Sequence, residues 1–168
     1  PARGDRLAIV TNAGGLGVMA TDALIARRGV LAPLSDETRA ALDEFLPPYW
    51  SHGNPIDVLG DAPAERIGKS IETVLADPNV DAVLSILCPQ SITDPTMTAR
   101  VVSKIAAGAA KPVLTAWVGG RLMQAGRGVL SDAGIACYAT PEQAVDAFMH
   151  LRTYARNIEV LYETPREV

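Results

Sequence analysis

Leu7-Ala8-Ile9-Val10-Thr11-Asn12-Ala13-Gly14-Gly15-Leu16-Gly17-Val18-Met19-Ala20-Thr21-Asp22 carries an apolar, β-branched run into a glycine cluster and from there directly into a helical pattern. Strand, tight turn and helix N-terminus in that order open a βαβ unit. The first N–H groups of a helix lack intrahelical partners and lie at the positive end of its dipole, so such a turn can seat a phosphate or a carboxylate. An anionic ligand is the first functional expectation.

The pattern recurs outward from this segment. Apolar runs bounded by turn residues predict buried strands at Leu7–Thr11, Val30–Leu34, Val80–Leu87, Val113–Val118 and Ile135–Tyr138. Helical spacing predicts helices at Gly17–Arg28, Asp36–Phe45, Ala64–Leu75, Pro95–Gly108, Arg121–Ala133 and Pro141–Tyr154. Start and stop signals stand at Asp94-Pro95, Thr140-Pro141 and Gly134. Alternating strands and helices require parallel crossovers, and nearly continuous apolar strands require a sheet covered on both faces. The expected architecture is α/β, a doubly wound, flavodoxin-like parallel sheet of five strands in the order 2-1-3-4-5. Residues 1–156 form this domain, with Pro47–Pro63 a long internal loop, and residues 157–168 read as a tail toward another domain.

Composition narrows the chemistry. The chain has 168 residues, 48% of them apolar, enough for one ordinary core without staples. The net charge is −4 with basic residues scattered, which excludes a nucleic-acid track and a basic membrane surface. An anion seat must then rest on backbone dipoles. Cys88 and Cys137 are too few for a disulfide framework. With no leader and no apolar run near 18 residues, a reducing, cytoplasmic setting is expected. The start at Pro1 without Met reads as a piece of a longer protein.

In a doubly wound sheet the ligand lies beyond the carboxyl ends of the strands where strand order reverses. Two loops reach that point. The first is Asn12, Ala13, Gly14 and Gly15, where glycines permit close approach and Asn12 offers an amide; a turn that merely needs glycine is the competing reading. The second carries Gln90, Ser91 and Thr93 before the Asp94-Pro95 helix start, where simple capping competes with ligand binding. Gly15-x-Gly17-x-x-Ala20 with Asp36 about 20 residues on also fits a loose dinucleotide fingerprint, which leaves NAD or another nucleotide as an alternative ligand. His52 and Asp57 could form a dyad, but their spacing fits no metal or nucleophile motif. Ser51, Cys88 and Ser91 have no base visible in the sequence, and His150 reads as a surface or packing residue. Trp117-Val118-Gly119-Gly120 repeats the strand-to-glycine form at the same edge.

Ile9-Val10-Thr11-Asn12-Ala13-Gly14-Gly15-x-Gly17-Val18, Asn54-Pro55-Ile56-Asp57-Val58-x-Gly60-Asp61, Pro89-Gln90-x-x-Thr93-Asp94-Pro95 and Trp117-x-Gly119-Gly120 together resemble the NDP-forming acyl-CoA synthetases. These are the relatives of succinyl-CoA synthetase and ADP-forming acetate–CoA ligase. The chain is similar to the third, flavodoxin-like CoA-ligase domain of that family's alpha part. The resemblance implies a parent that joins a carboxylic acid to CoA as ATP is cleaved, through an acyl phosphate and a phosphorylated histidine, using CoA, ATP and Mg. It implies partners in the CoA-binding, phosphohistidine and ATP-grasp domains, and an oligomeric parent. The family's Ser-His-Thr-Gly-Ala histidine motif is absent, and His52, followed by Gly-Asn-Pro, does not inherit that role. No catalytic residue, metal ligand or cofactor of its own is therefore expected here. The implied task is support: Asn12–Gly15 and Gln90–Thr93 would help hold phosphohistidine, acyl phosphate or the acyl carboxylate. The architecture also resembles synthetase-like parts fused to bacterial protein lysine acetyltransferases, where the domain would sense a ligand.

Overall fold

The computed structural model describes residues 4–90 and 92–162. Its strands are β1 (Arg6–Thr11), β2 (Val30–Leu31), β3 (Ile56–Asp57), β4 (Ala82–Leu87), β5 (Val113–Trp117) and β6 (Cys137–Tyr138). They alternate with α1 (Gly14–Ala26), α2 (Asp36–Asp43), α3 (Ala64–Ala76), α4 (Pro95–Gly108), α5 (Gln124–Asp132) and α6 (Pro141–Tyr162). All pairings are parallel, in the order β2-β1-β4-β5-β6, with β3 also pairing to β1. Leaving the two-residue β3 aside, this is the doubly wound 2-1-3-4-5 arrangement expected from the alternation of strands and helices.

The strands are apolar at consecutive positions because each face meets a separate core. Leu7, Ile9, Leu84, Ile86, Leu114 and Ala116 turn toward Leu24 of α1 and Val145 and Phe148 of α6. Ala8, Val10, Val83, Leu87 and Trp117 turn the other way, toward Leu42, Ile71, Val102 and Leu130 of α2 to α5. Each fully buried side chain of this kind contributes roughly 1.5–3 kcal/mol, so the two cores fix the alternation along every strand.

Three departures from the expected elements have physical causes. The loop Pro47–Pro63 contains β3, whose register places Ile56 and Asp57 beside Val10 and Thr11, while β2 covers only Arg6 and Leu7. Between them a single side chain completes the edge of β1. Asn54 accepts the Ile9 N–H at 3.0 Å and donates to the carbonyls of Leu7 and Ala32 at 2.9 and 3.0 Å. Next, α1 starts at Gly14 rather than Gly17, so both leading glycines lie in its first turn. Finally, α6 runs on to Tyr162, so the expected boundary near residue 156 falls inside a helix; residues 163–168 lie outside the described residues.

At the carboxyl end of the sheet Asn12, only 2% exposed, joins β1 to β4. Its Nδ2 donates to the Cys88 carbonyl at 2.8 Å and its Oδ1 accepts the Cys88 N–H at 2.9 Å. At the opposite end, Arg6 pairs with Asp81 at 2.8 Å. Asp77, 1% exposed, accepts the N–H groups of Ser35 and Asn79, each at 2.8 Å. The Arg6 hydrogen bond outweighs burial and holds Asp81 below the usual carboxylate range. Burial opposes ionisation of Asp77, but the Asn79 and Ser35 donors with the Thr38 and Ser35 hydroxyls outweigh it and lower its pKa as well.

Two outcomes follow for stability. Asn12→Ala leaves the Cys88 N–H and C=O unpaired at the switch point, and should cost about 2–4 kcal/mol in urea unfolding. The lowered carboxylates give stability that is complete above the unfolded carboxyl range, about pH 4, and is lost as pH falls through their folded values. Urea midpoints should therefore drop steeply below about pH 4. Asp77→Asn should lower the midpoint at neutral pH and flatten that acid limb; a parallel acid limb in the variant would refute the role given to Asp77.

Candidate functional site

The four sequence motifs meet at the carboxyl edge of the sheet. The Asn12 clamp fixes the start of α1 against the strand-exit segment at Cys88, because both of its amide ends are engaged there. Asn12 thus serves as the frame of the site, with its amide turned to the backbone. Ala13 is the N-cap of α1. Its N–H donates to Thr11 Oγ1 at 3.0 Å, and its carbonyl accepts the N–H groups of Leu16 and Gly17. No side chain caps this helix, so the Gly14 and Gly15 N–H groups have no partner among the described residues. Gly14 and Gly15 are both exposed.

The second loop is closed on itself. Thr93 Oγ1 accepts the Gln90 N–H at 3.0 Å, and the Gln90 carbonyl accepts the Thr93 N–H at 3.1 Å. Asp94 caps α4 through the Met97 N–H at 2.9 Å, the capping role that an Asp before Pro suggests. The Gln90 side chain lies against Gly60, where an added Cβ would come within 3.3 Å of its Cδ. Ser91 lies outside the described residues. Beneath this loop Pro89 presses on Gly119. With φ at +146° and a would-be Cβ only 2.5 Å from Pro89 Cδ, that position accepts nothing larger than glycine.

Asp57 belongs to this edge and was considered in the sequence only as a partner for His52. No such dyad forms. His52 instead sets its two ring nitrogens against Asp43 Oδ1 at 3.2 Å and the Pro48 carbonyl at 2.9 Å. The Asp57 N–H is taken by Ser51 Oγ at 2.9 Å, and its Oδ1 accepts the Leu59 N–H at 2.9 Å. Its other oxygen stands at the first turn of α1, 2.7 Å from where a Cβ on Gly14 would be. Each of the two helix starts at this edge therefore faces a carboxylate of the chain itself, Asp57 at α1 and Asp94 at α4. The positive dipole ends are partly neutralised before any ligand arrives. The signal was in the sequence, since Asp57 sits in one of the four quoted motifs.

The dinucleotide reading loses its acid. Asp36 opens α2 directly after Ser35, whose N–H is bound by Asp77 at the amino-terminal end of the sheet. Asp36 pairs there with Arg39 and is remote from Gly15–Ala20. Gly17 has its own structural reason, since a Cβ there would lie 3.1 Å from Thr11 Cγ2 and 3.2 Å from Pro55 Cβ. Among the described residues there is no group of three or more His, Cys, Asp or Glu placed to hold a metal. No described helix is long and apolar enough to cross a membrane.

Comparison with known proteins places this edge in context. Residues 7–161 match the family model described as the Ligase-CoA domain. The chain is 38% identical over 150 residues to the ADP-forming acetate–CoA ligase I of Archaeoglobus fulgidus, covering 89% of this chain and 21% of that protein. It is 33% identical over 162 residues to the alpha subunit of the ADP-forming acetate–CoA ligase II of Pyrococcus furiosus, covering 93% and 35%. Among solved structures, it superposes on the acetyl-coenzyme A synthetase 1 of Candidatus Korarchaeum cryptofilum in complex with phosphate and ADP. That match has a TM-score of 0.88 at 32% identity and covers 98% of this chain and 36% of that one. The chain thus spans between about a fifth and about a third of the length of these relatives. With the family model matched from β1 almost to the end of α6, and the motif loops meeting at one sheet edge, the chain belongs to the Ligase-CoA domain family of the ADP-forming acyl-CoA synthetases.

Proposed function

We propose that this domain completes the phosphoryl- and acyl-binding site of an ADP-forming acyl-CoA synthetase without supplying a catalytic group. The parent reaction is acid, CoA and ATP going to acyl-CoA, ADP and phosphate. Within Asn12–Gly15 the N–H groups of Gly14 and Gly15, framed by the engaged Asn12 and Ala13, and in Gln90–Thr93 the Gln90 side chain, help hold a phosphohistidine, acyl phosphate or acyl carboxylate that other domains deliver. CoA, ATP and Mg belong, in this reading, to the CoA-binding, phosphohistidine and ATP-grasp parts of the parent.

The observation that carries the reading is the rim of the edge. Val18 and Met19 on α1, Ile92 in the second loop, Met97 on α4 and Leu122 in the turn after Gly120 are all exposed, between 43% and 71%. Five apolar side chains around two helix starts suit a surface covered by another domain, which would also exclude water from whatever lies between. Backbone donors bind an anion without the strong ion pair that would trap it, and the adjacent carboxylates weaken the hold further. A seat of this kind fits a group that must arrive, react and leave.

Three measurements test it. Phosphate titrated into the isolated chain should shift amide resonances at Gly14–Leu16 or Gln90–Thr93 with a millimolar Kd, about −4 kcal/mol. Asp57→Asn should tighten that binding by about threefold to tenfold by removing the competing charge at α1. Titration that moves neither loop, or an unchanged Kd in Asp57→Asn, would sink the seat. In the full-length parent, Gly15→Val should depress turnover with little loss of melting temperature, since nothing stands within 4 Å of its added Cβ. Gln90→Ala should act in the same direction, and either should alter the steady-state level of phosphorylated enzyme. Wild-type turnover and phosphorylation in both would reduce the domain to scaffold. The isolated chain itself should form no thioester from acid, CoA and ATP; measurable synthesis would overturn the division of roles.

A further inference from the structure

The loop that carries Gln90 and Thr93 is closed by two prolines, and each of them rests on a glycine of one other segment. Pro89 lies against Gly119. Pro95, the first residue of α4, lies against Gly126 in the first turn of α5, where an added Cβ would stand 2.6 Å from the Pro95 carbonyl oxygen and 3.0 Å from Pro95 Cβ. Glycine weakens a helix, because it loses more conformational freedom on folding than any other residue. Gly126, which is buried, has a steric reason to be there that Gly128 lacks, since nothing stands within 4 Å of a Cβ on Gly128. Between the two contacts Met123 is fully buried, with its Cγ 3.4 Å from where a Cβ on Gly119 would be. The segment Gly119–Gly126 is thus a bed under both ends of the second loop.

The next residue ties this bed to the sheet. The Val118 N–H donates to the Leu87 carbonyl of β4 at 2.8 Å. In a trans peptide the carbonyl points the opposite way, so the Trp117 carbonyl faces away from β4, toward the side of β6. β6 pairs no further than Tyr138 with Ala116 and gives that carbonyl no partner. Arg127 does. Its Nε donates to the Trp117 carbonyl at 2.9 Å, and its Nη2 donates to the same oxygen. The guanidinium forms no ion pair among the described residues, so its fork is spent on one backbone oxygen ten residues back along the chain.

We propose that Gly126 and Arg127 are positioning residues for the second loop. Arg127 staples the bed to the end of β5, and Gly126 lets α5 come close enough to α4 to fix where that helix begins. Both act through Pro95, Pro89 and the Trp117 carbonyl rather than on an anion. Their effect on the reaction rests on the function proposed above, whereas the placement of the loop does not.

In the 168-residue chain, Gly126→Ala should shift the amide resonances of Gln90, Thr93 and Met97. Those of Gly14–Leu16 should stay in place, because Asn12 and Ala13 hold that turn without α5. Arg127→Met keeps the stem and removes the donors, and should shift the same set together with Val118–Gly120. Arg127→Lys, whose ammonium can still donate to the Trp117 carbonyl, should return most of them. In the full-length parent, Gly126→Ala and Arg127→Met should each lower kcat about tenfold with the KM for CoA unchanged, and Arg127→Lys by no more than about twofold. A general loss of stability would instead move resonances throughout both cores and would not be rescued by lysine. Wild-type resonances at Gln90 and Thr93 in Gly126→Ala and Arg127→Met, or equal behaviour of Arg127→Met and Arg127→Lys, would overturn the proposal. Displaced resonances with wild-type kcat would leave the placement standing and overturn the role proposed for the loop.

Discussion

The site depends on two hydrogen bonds made by one buried side chain. β1 and β4 are neighbours, but their chains leave the sheet toward opposite faces, β1 into α1 and β4 into α4, so the ladder cannot continue beyond Thr11 and Ile86. Asn12 bridges that divergence by giving an N–H to the Cys88 carbonyl and taking the Cys88 N–H. An amide is the side-chain group suited to copying both halves of a backbone pairing, with donor and acceptor about as far apart as in a peptide unit. An ionised carboxylate lacks the donor, and a hydroxyl carries donor and acceptor on a single atom. The crevice of a doubly wound sheet is a topological consequence of strand order, but its two walls are held in register here by this contact.

Asn54 does the same work on the other edge of β1. It meets the Leu7 and Ala32 carbonyls and the Ile9 N–H where β2 has ended and β3 has not begun. β1 is thus paired along both edges although two of its neighbours are only two residues long. This is why a 17-residue stretch without periodicity can run through the domain and still bring Asp57 and Gly60 to the site. Local irregularity is tolerated when the backbone groups it strands are met by side chains.

Legibility followed the length and periodicity of each element. Long apolar runs with covered faces, such as β4 and β5, and helices with strong start signals, such as α4 at Asp94-Pro95, could be read directly from the residues. β3 could not, because two residues carry no period and its partner is chosen by tertiary contacts around Asn54. The start of α1 was displaced because Gly14 and Gly15 read as loop. Their small size in fact serves the first turn, where Gly14 admits Asp57 and Gly15 leaves the helix end open. The end of α6 was hidden for a different reason: Arg152, Arg156 and Glu159 dilute an apolar seam that is regular only at three- and four-residue steps. At the site, Gln90 and Thr93 were readable as a helix approach, whereas the frame role of Asn12 depends on Cys88, 76 residues away.

The carboxylates change how the helix dipoles can be used. A bare helix start attracts any anion, and two together at an uncovered edge would hold phosphate or stray carboxylates. With Asp57 beside Gly14 and Asp94 capping α4, each half-charge is met by a full negative charge a few ångströms away. In open solvent that balance leaves little net attraction. Covering the edge with another apolar surface removes water and so strengthens both the N–H contacts to a bound oxygen and its repulsion from the two carboxylates, which favours a group whose oxygen reaches the N–H donors while standing clear of Asp57 and Asp94. Asp57 retains the Leu59 N–H and Asp94 the Met97 N–H whatever happens at the rim. In the proposed reading, a seat built this way is weak while the edge is exposed, which ties anion binding to the docking of the group that delivers the anion.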